Sequence, residues 1–106
     1  RSFLYIDECI EGIQRIMSSD YDKPLNLGST RMISINNLVF LIAKLNGKNI
    51  SIRNIDGPRG VMGRNSDNNL IKEQIGWNPN EDLESGLIKT YNWISTQIKN
   101  NLPDIE

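Results

Sequence analysis

The chain has 106 residues, of which 38% are hydrophobic and 24% charged, a composition typical of one globular domain or part of one. Twelve basic residues against thirteen acidic ones give a net charge of −1. We therefore expect no nucleic-acid partner, because non-specific phosphate binding needs a basic surplus. One cysteine and no histidine exclude an intrachain disulfide framework, a Cys/His zinc site and a His-dependent triad.

Neither a membrane nor a secretory segment is expected. The longest apolar run, residues 38–43, is much shorter than a membrane span. The first residues lack the apolar core of a signal peptide, so we expect a cytoplasmic protein without a membrane partner. The chain does not begin with methionine, and residue 1 already lies in a patterned segment. We therefore expect a fragment of a longer protein.

The first third of the chain predicts a strand, a helix and a second strand. Residues 2–6 alternate in the manner of a short strand, and Asp7 is predicted to cap the helix that follows. Glu8 and Glu11 are interpreted as surface acids in its first turn. Residues 24–27 form a further strand candidate. The helix is predicted to be amphipathic, with an apolar face made of Ile6, Cys9, Ile10, Ile13, Ile16 and Met17.

The middle of the chain predicts a helix, a strand and a loop. Ser34 is a predicted N-cap, and Asn46-Gly47 is typical of a helix end. Residues 50–55 alternate with a period of two, which favours a strand. Residues 56–67 contain three glycines and a proline, a composition typical of a loop.

Two further helices are predicted in the last third. One begins near Asp67 and ends at Gly76, and the other spans about residues 83–99. Residues 100–106 are predicted to be a frayed tail. Trp77 and Trp93 are interpreted as packing anchors. The element order predicts a small mixed α/β unit with about four helices and two or three short strands, and without a Rossmann core.

The loop at residues 56–67 holds the residues with the most chemical promise. Its glycines allow the backbone to approach a ligand closely, and Arg64 stands just before the predicted helix. A guanidinium can hold a diphosphate through paired hydrogen bonds, and a helix start favours the same anion. Asp67 can cap the helix or bind a ribose hydroxyl. On these residues alone, a surface loop with a solvated arginine and an ordinary N-cap is the more common interpretation.

Four segments in order resemble the C-terminal part of the GDP-mannose 3,5-epimerase family of extended short-chain dehydrogenases/reductases. They are RSFLYIDECIEGIQRIMSSD, PLNLGS, GPRGVMGRNSDNNLIKEQIGWNPN and GLIKTYNWISTQI. The resemblance covers about residues 1–99, which it implies are a nucleotide-sugar-binding subdomain. The family pattern has an acidic residue at the position of Arg59 and a basic one at the position of Met62, so the loop departs from it in detail.

The resemblance implies three substrate-binding residues. The arginine that opens the R-S-F segment contacts the nucleotide-sugar in this family, which points to Arg1. The arginine of G-R-N-S-D contacts the diphosphate, which points to Arg64. In related epimerases the aspartate of R-x-x-D meets the ribose, which points to Asp67.

The resemblance also implies what this segment lacks. In the family NAD transiently oxidises the sugar at C4, and the NAD-binding and acid/base residues lie in the N-terminal part. We therefore assign no catalytic, cofactor-binding or metal-binding residue here. The implied partners are a GDP-sugar, the missing Rossmann domain and a second copy in a homodimer. We expect the fragment alone to be inactive.

Two other functions remain open from the sequence. One is a different NAD-dependent activity on a nucleotide-sugar, such as a 4-epimerase or a 4,6-dehydratase. The other is a stand-alone α/β interaction module, which the length and the near-neutral charge allow. If the segment normally packs on a Rossmann domain, we expect exposed apolar residues and either self-association or a partner that covers them.

Overall fold

Four helices joined by segments without regular secondary structure make up the described molecule. The computed structural model describes residues 1–101. The helices are α1 (Ile6–Met17), α2 (Ile35–Leu45), α3 (Asn69–Ile75) and α4 (Leu83–Asn101). No strand occurs within residues 1–101. The predicted mixed α/β fold is therefore wrong for this part of the chain, although the number of helices is confirmed.

Several helix ends follow local sequence signals. The Ser34 hydroxyl accepts a hydrogen bond from the Asn37 backbone N–H at 3.2 Å, as expected of the N-cap of α2. Gly47 and Gly76 follow α2 and α3 with positive φ values of 62° and 69°. Glycine adopts this left-handed conformation without a steric penalty. Both predicted helix ends are thus confirmed.

Other boundaries differ from the prediction. The N-cap of α1 is Tyr5, which makes no side-chain cap hydrogen bond, and Asp7 lies inside the first turn. The N-cap of α3 is Asn68. Helix α4 continues through Asn101, so the predicted tail is helical at residues 100–101. The remainder of that predicted tail, residues 102–106, lies outside the described residues.

The predicted strands at residues 2–6, 24–27 and 50–55 are not formed. Arg1 and Ile33 exchange two backbone hydrogen bonds of 3.0 and 2.8 Å. The Ser2 N–H donates to the Arg64 carbonyl at 3.2 Å. A strand requires a regular ladder of such bonds with a neighbour, whereas these bonds are isolated. Alternation of side chains therefore did not specify a pairing partner, and without one no strand forms.

Helix α1 is held at Gly12 by two side chains from other parts of the chain. A Cβ at Gly12 would lie 2.7 Å from Leu27 Cδ1 and 2.8 Å from Trp77 Cζ3. The Arg15 guanidinium lies over the Trp77 ring, 5.6 Å from its centroid, a cation–π contact. Trp77 is thus confirmed as a packing anchor. Trp93 is not one, because it is 64% exposed.

Little of the apolar surface is buried. The radius of gyration is 17.4 Å, against about 13 Å for a compact domain of this length. The accessible surface is 8558 Å², whereas a compact protein of this mass exposes roughly 6000 Å². Ala43 and Ile71 are the buried hydrophobic residues among those described, and of the two only Ile71 is fully buried. The described helices therefore do not enclose a core of ordinary size.

The predicted apolar face of α1 is largely uncovered. The buried residues of this helix are Glu8 and Gly12, on the side that meets Trp77. The opposite side presents four exposed apolar side chains at helical spacing, which we call the α1 stripe: Ile6, Ile10, Ile13 and Met17. Exposed apolar residues were expected of a segment that packs on another domain, and that expectation is confirmed.

The Ile71→Ala substitution is expected to lower the free energy of unfolding by about 3 kcal/mol, because it removes a side chain that is 1% exposed and leaves a cavity. Leu70→Ala, on the same helix but 42% exposed, is the matched control and should cost well under half as much. Urea unfolding of the purified protein measures both values. Equal losses would show that α3 is not anchored through Ile71.

Two ion pairs attach neighbouring segments to the start of α4. The two terminal guanidinium nitrogens of Arg31 donate to the Glu84 carboxylate, at 2.7 and 2.8 Å. Hydrogen bonding from Arg31 lowers the pKa of Glu84. Lys89 donates to Glu81, and this bond is the main reason that the pKa of Glu81 is lowered. Both carboxylates are therefore more acidic in the folded protein than in the unfolded chain.

A lowered carboxylate pKa stabilises the folded state above the unfolded pKa, and the contribution is lost as pH falls through the folded value. Stability should therefore decrease as pH falls from the ordinary glutamate value of 4.5. In Glu84→Gln, the decrease in Tm between neutral pH and pH of about 3 should be smaller than in the parent protein. Glu73→Gln, which removes an exposed carboxylate without an ion pair in residues 1–101, should leave that decrease unchanged.

Candidate functional site

Three segments without regular secondary structure meet at the candidate site. They are residues 1–3, residues 28–33 and residues 64–66. The first segment bonds to both others, because Arg1 pairs with Ile33 and the Ser2 N–H donates to the Arg64 carbonyl at 3.2 Å. The fold thus places Arg1 and Arg64, which are 63 positions apart in the numbering, on neighbouring backbone segments.

The glycine loop lies against this pair. A Cβ at Gly60 would lie 3.9 Å from Nη2 of Arg1, and one at Gly63 would lie 3.3 Å from Cε of Met32. Arg64 is exposed, and the ion pairs within residues 1–101 involve other basic residues. Its guanidinium is therefore not neutralised by a carboxylate of the described chain, as a group that binds an anionic ligand requires.

Asp67 lies at the turn into α3. Its Oδ1 accepts a hydrogen bond from the Asn69 N–H at 2.9 Å, and the residue is exposed. This bond satisfies an N–H of the first helical residue, which is part of the role that the sequence predicted. The second carboxylate oxygen remains as an acceptor for a hydroxyl group. Asp67 follows Arg64 by three positions, so the loop brings the two predicted residues to the same end of α3.

A buried polar network supports the turn, and the sequence pattern did not indicate it. Asn68 is 7% exposed. Its Nδ2 donates to the Gly28 carbonyl at 2.7 Å, and its Oδ1 accepts from the Ser66 hydroxyl at 2.6 Å. The available signal was a polar asparagine one position before an apolar helix, which is equally typical of an exposed N-cap.

A second concave region is a cavity of about 440 Å³ between residues 3–5, residues 29–31 and the start of α4. Glu8 lies at this cavity and is 8% exposed, so its interpretation as a surface acid is wrong. Its Oε1 accepts backbone hydrogen bonds from Asn80 at 2.8 Å and Glu81 at 3.0 Å. The carboxylate therefore accepts hydrogen bonds from two backbone N–H groups of the turn before α4. These bonds compensate for the cost of burying its charge.

Tyr5 and Glu81, which line the cavity, interact with Lys89, which does not line it. Lys89 lies 5.1 Å from the centroid of the Tyr5 ring and donates to Glu81. Desolvation of the Tyr5 hydroxyl is the largest cause of its raised pKa, followed by the nearby charge of Asp7. These contacts stabilise the fold around the cavity and leave no free acid/base pair among the residues discussed.

Two kinds of site were also sought across residues 1–101. No group of three His, Cys, Asp or Glu side chains in this range is arranged to hold a metal ion. None of the four described helices combines the length and the apolar character needed to cross a membrane. The loop at residues 56–67 with Arg64, which we call the arginine loop, is therefore the candidate site that geometry and charge support best.

Known proteins provide independent evidence about the chain. No family model matches it. It is 50% identical over 99 residues to GDP-mannose 3,5-epimerase of Arabidopsis thaliana, and 48% identical over the same length to GDP-mannose 3,5-epimerase 1 of Oryza sativa subsp. japonica. Each match covers 93% of this chain and 26% of the enzyme. UDP-glucuronic acid decarboxylase 6 of Arabidopsis thaliana is 30% identical over 88 residues, which is 82% of this chain and 26% of that enzyme.

The chain spans about a quarter of the length of these relatives. The resemblance expected from the R-S-F and G-R-N-S-D segments is confirmed. Over nearly its whole length the chain is homologous to the C-terminal part of GDP-mannose 3,5-epimerase, with UDP-glucuronic acid decarboxylases as more distant relatives.

Proposed function

We propose that residues 1–99 are the nucleotide-sugar-binding part of an NAD-dependent enzyme that epimerises GDP-mannose at C3 and C5. The observation that carries this proposal is the 50% identity over 99 residues with an enzyme of that name. The position of Arg1 and Arg64 on adjacent segments supports it, because the two sequence-predicted contacts of one ligand should lie close together.

The roles of the three residues follow from their chemistry. Arg64 holds the diphosphate, since a planar guanidinium donates two parallel hydrogen bonds to phosphate oxygens and remains charged. Arg1 contacts the nucleotide-sugar from the adjacent segment. Asp67 accepts a hydrogen bond from a ribose hydroxyl while its Oδ1 accepts one from the Asn69 N–H. This set binds and orients the substrate, and the groups that move protons lie elsewhere in the protein.

The described residues do not fit a dinucleotide. A dinucleotide fingerprint places a glycine-rich turn between a strand and a helix, and residues 1–101 contain no strand. We therefore place NAD binding in a Rossmann domain of the complete protein, outside residues 1–106. We expect residues 1–106 alone to be inactive. We further propose that the enzyme acts in the cytoplasm as a homodimer.

The α1 stripe is the proposed contact with that Rossmann domain. Its four exposed apolar side chains lie on the side of α1 opposite Gly12, and Met17 is 79% exposed. Burial of such a surface contributes about 25 cal/mol for each Å² removed from water. A large shared interface also explains why the described helices bury so little surface among themselves.

The second candidate function is another reaction on a nucleotide-diphosphate sugar. It is favoured by the 30% identity with UDP-glucuronic acid decarboxylase 6, and it would use the same arginines for the same diphosphate. The 20-point lower identity makes it the weaker candidate. A stand-alone interaction module has no comparable support, because both groups of relatives are enzymes by name.

The complete protein that contains these residues should convert GDP-mannose, supplied with NAD, into its 3,5-epimerised product. Arg64→Ala should raise KM for GDP-mannose by about tenfold or more, because a charged hydrogen-bond pair to the diphosphate is lost. Product analysis by NMR together with initial rates measures both effects. Release of CO₂ from UDP-glucuronic acid without turnover of GDP-mannose would instead establish the second candidate.

Arg53→Ala is the matched control, because it removes the same charge from another exposed arginine, which precedes the loop at residues 56–67 and is not one of the three proposed ligand contacts. Its KM should stay within about twofold of the parent value. Equal effects of the two substitutions would show that Arg64 acts only through the general charge of the surface.

A second substitution tests the packing of α1. Ile13→Asp in the complete protein should lower Tm by several degrees, because it places a carboxylate in the proposed apolar interface. Gln14→Asp, one position along the same helix and also exposed in this chain, should change Tm much less. An unchanged Tm in Ile13→Asp would show that the α1 stripe faces solvent in the complete protein.

A further inference from the structure

We propose that Asn68 is a positioning residue that sets the place of Arg64 at the diphosphate; the proposal rests on the function proposed above for Arg64. Asn68 does not itself contact the ligand in this proposal. It acts through the backbone of the R-N-S-D segment. The observations that carry it are its burial, its two hydrogen bonds and the close packing of Gly28 against Ser66.

The Asn68 carboxamide is buried, and both its nitrogen and its oxygen form hydrogen bonds. Nδ2 donates to the Gly28 carbonyl at 2.7 Å and Oδ1 accepts from the Ser66 hydroxyl at 2.6 Å. One side chain thus ties the segment after Arg64 to the segment that precedes Ser29. A buried amide that lost these partners would remain desolvated and unpaired, so the network favours a single arrangement of the turn.

The packing at Gly28 restrains the same turn. A Cβ at Gly28 would lie 2.8 Å from the Ser66 Cβ, closer than two such atoms can approach. The Ser66 N–H donates to the Ser29 carbonyl at 3.2 Å, and Asn65 Nδ2 donates to the Thr30 carbonyl at 3.2 Å. The residues that directly follow Arg64 are therefore fastened to residues 28–30.

This attachment controls Arg64 because the arginine side chain makes no ion pair of its own within residues 1–101. The guanidinium lies at the end of a long flexible side chain, so the positions that it can reach depend on where the Arg64 backbone is held. The Arg64 carbonyl accepts from Ser2 on one side, and the Asn68 network lies on the other. Loss of that network would release the backbone and weaken a contact that requires paired geometry.

The experiment is a double-mutant cycle between Asn68 and Arg64 in the complete protein, with GDP as the probe and isothermal titration calorimetry as the readout. Asn68→Ala should weaken GDP binding about tenfold when Arg64 is present. In the Arg64→Ala background the same substitution should change affinity by less than about twofold. Non-additivity of this kind is expected only if Asn68 acts through Arg64.

Two further variants keep the test decisive. Asn69→Ala changes the adjacent, exposed asparagine and should leave GDP affinity within about twofold in both backgrounds. Ser66→Ala removes one bond of the network with a small change of volume, and it replaces Asn68→Ala if that protein does not fold. It should weaken binding about threefold, again only when Arg64 is present.

The outcomes separate this proposal from the one it rests on. Full affinity of both Asn68→Ala and Ser66→Ala beside a weakened Arg64→Ala would overturn the positioning role and leave the diphosphate contact standing. Equal losses from Asn68→Ala in both backgrounds would also overturn it, since they would reflect general destabilisation. An Arg64→Ala protein that binds GDP normally would overturn the diphosphate contact and, with it, the role of Asn68.

Discussion

The arrangement of the candidate site depends on one constraint: the backbone of residues 1–3 is hydrogen-bonded to two other segments, residues 28–33 and 64–66. Arg1 pairs with Ile33, and the Ser2 N–H bonds to the Arg64 carbonyl. These bonds join the beginning of the chain to the loop before α3. Without them, the two arginines would belong to unrelated parts of the surface, since no regular sheet or helix connects them.

The site combines a loosely held charge with a firmly held backbone. Arg64 is exposed and has no carboxylate partner in residues 1–101, whereas Asn68, four positions later, is buried and hydrogen-bonded through both its amide nitrogen and its amide oxygen. Such a division suits a binding site, because the ligand replaces water at the guanidinium while the protein has already met the cost of ordering the turn. The cavity beside Glu8 is the opposite case, since its charged groups are already paired with one another or with backbone.

The exposed apolar surface of the chain and its small core have the same explanation. A radius of gyration of 17.4 Å and an exposed α1 stripe are what a quarter of a larger enzyme would show when viewed alone. Under the proposed function, the relatives' greater length and the uncovered face of α1 are explained together, because the α1 stripe would pack on the proposed Rossmann domain.

Local signals in the sequence determined the four helices and several of their ends. Ser34, Gly47 and Gly76 mark boundaries because capping and left-handed backbone depend on a few neighbouring atoms. The residues of the arginine loop were also accessible to sequence comparison, since their order and spacing are local. Only the tertiary structure decided which extended segments pair, that Glu8 and Asn68 are buried, and that Trp93 is exposed. These properties depend on contacts between residues distant in the chain, and alternation or helical spacing alone does not specify which surface covers which face.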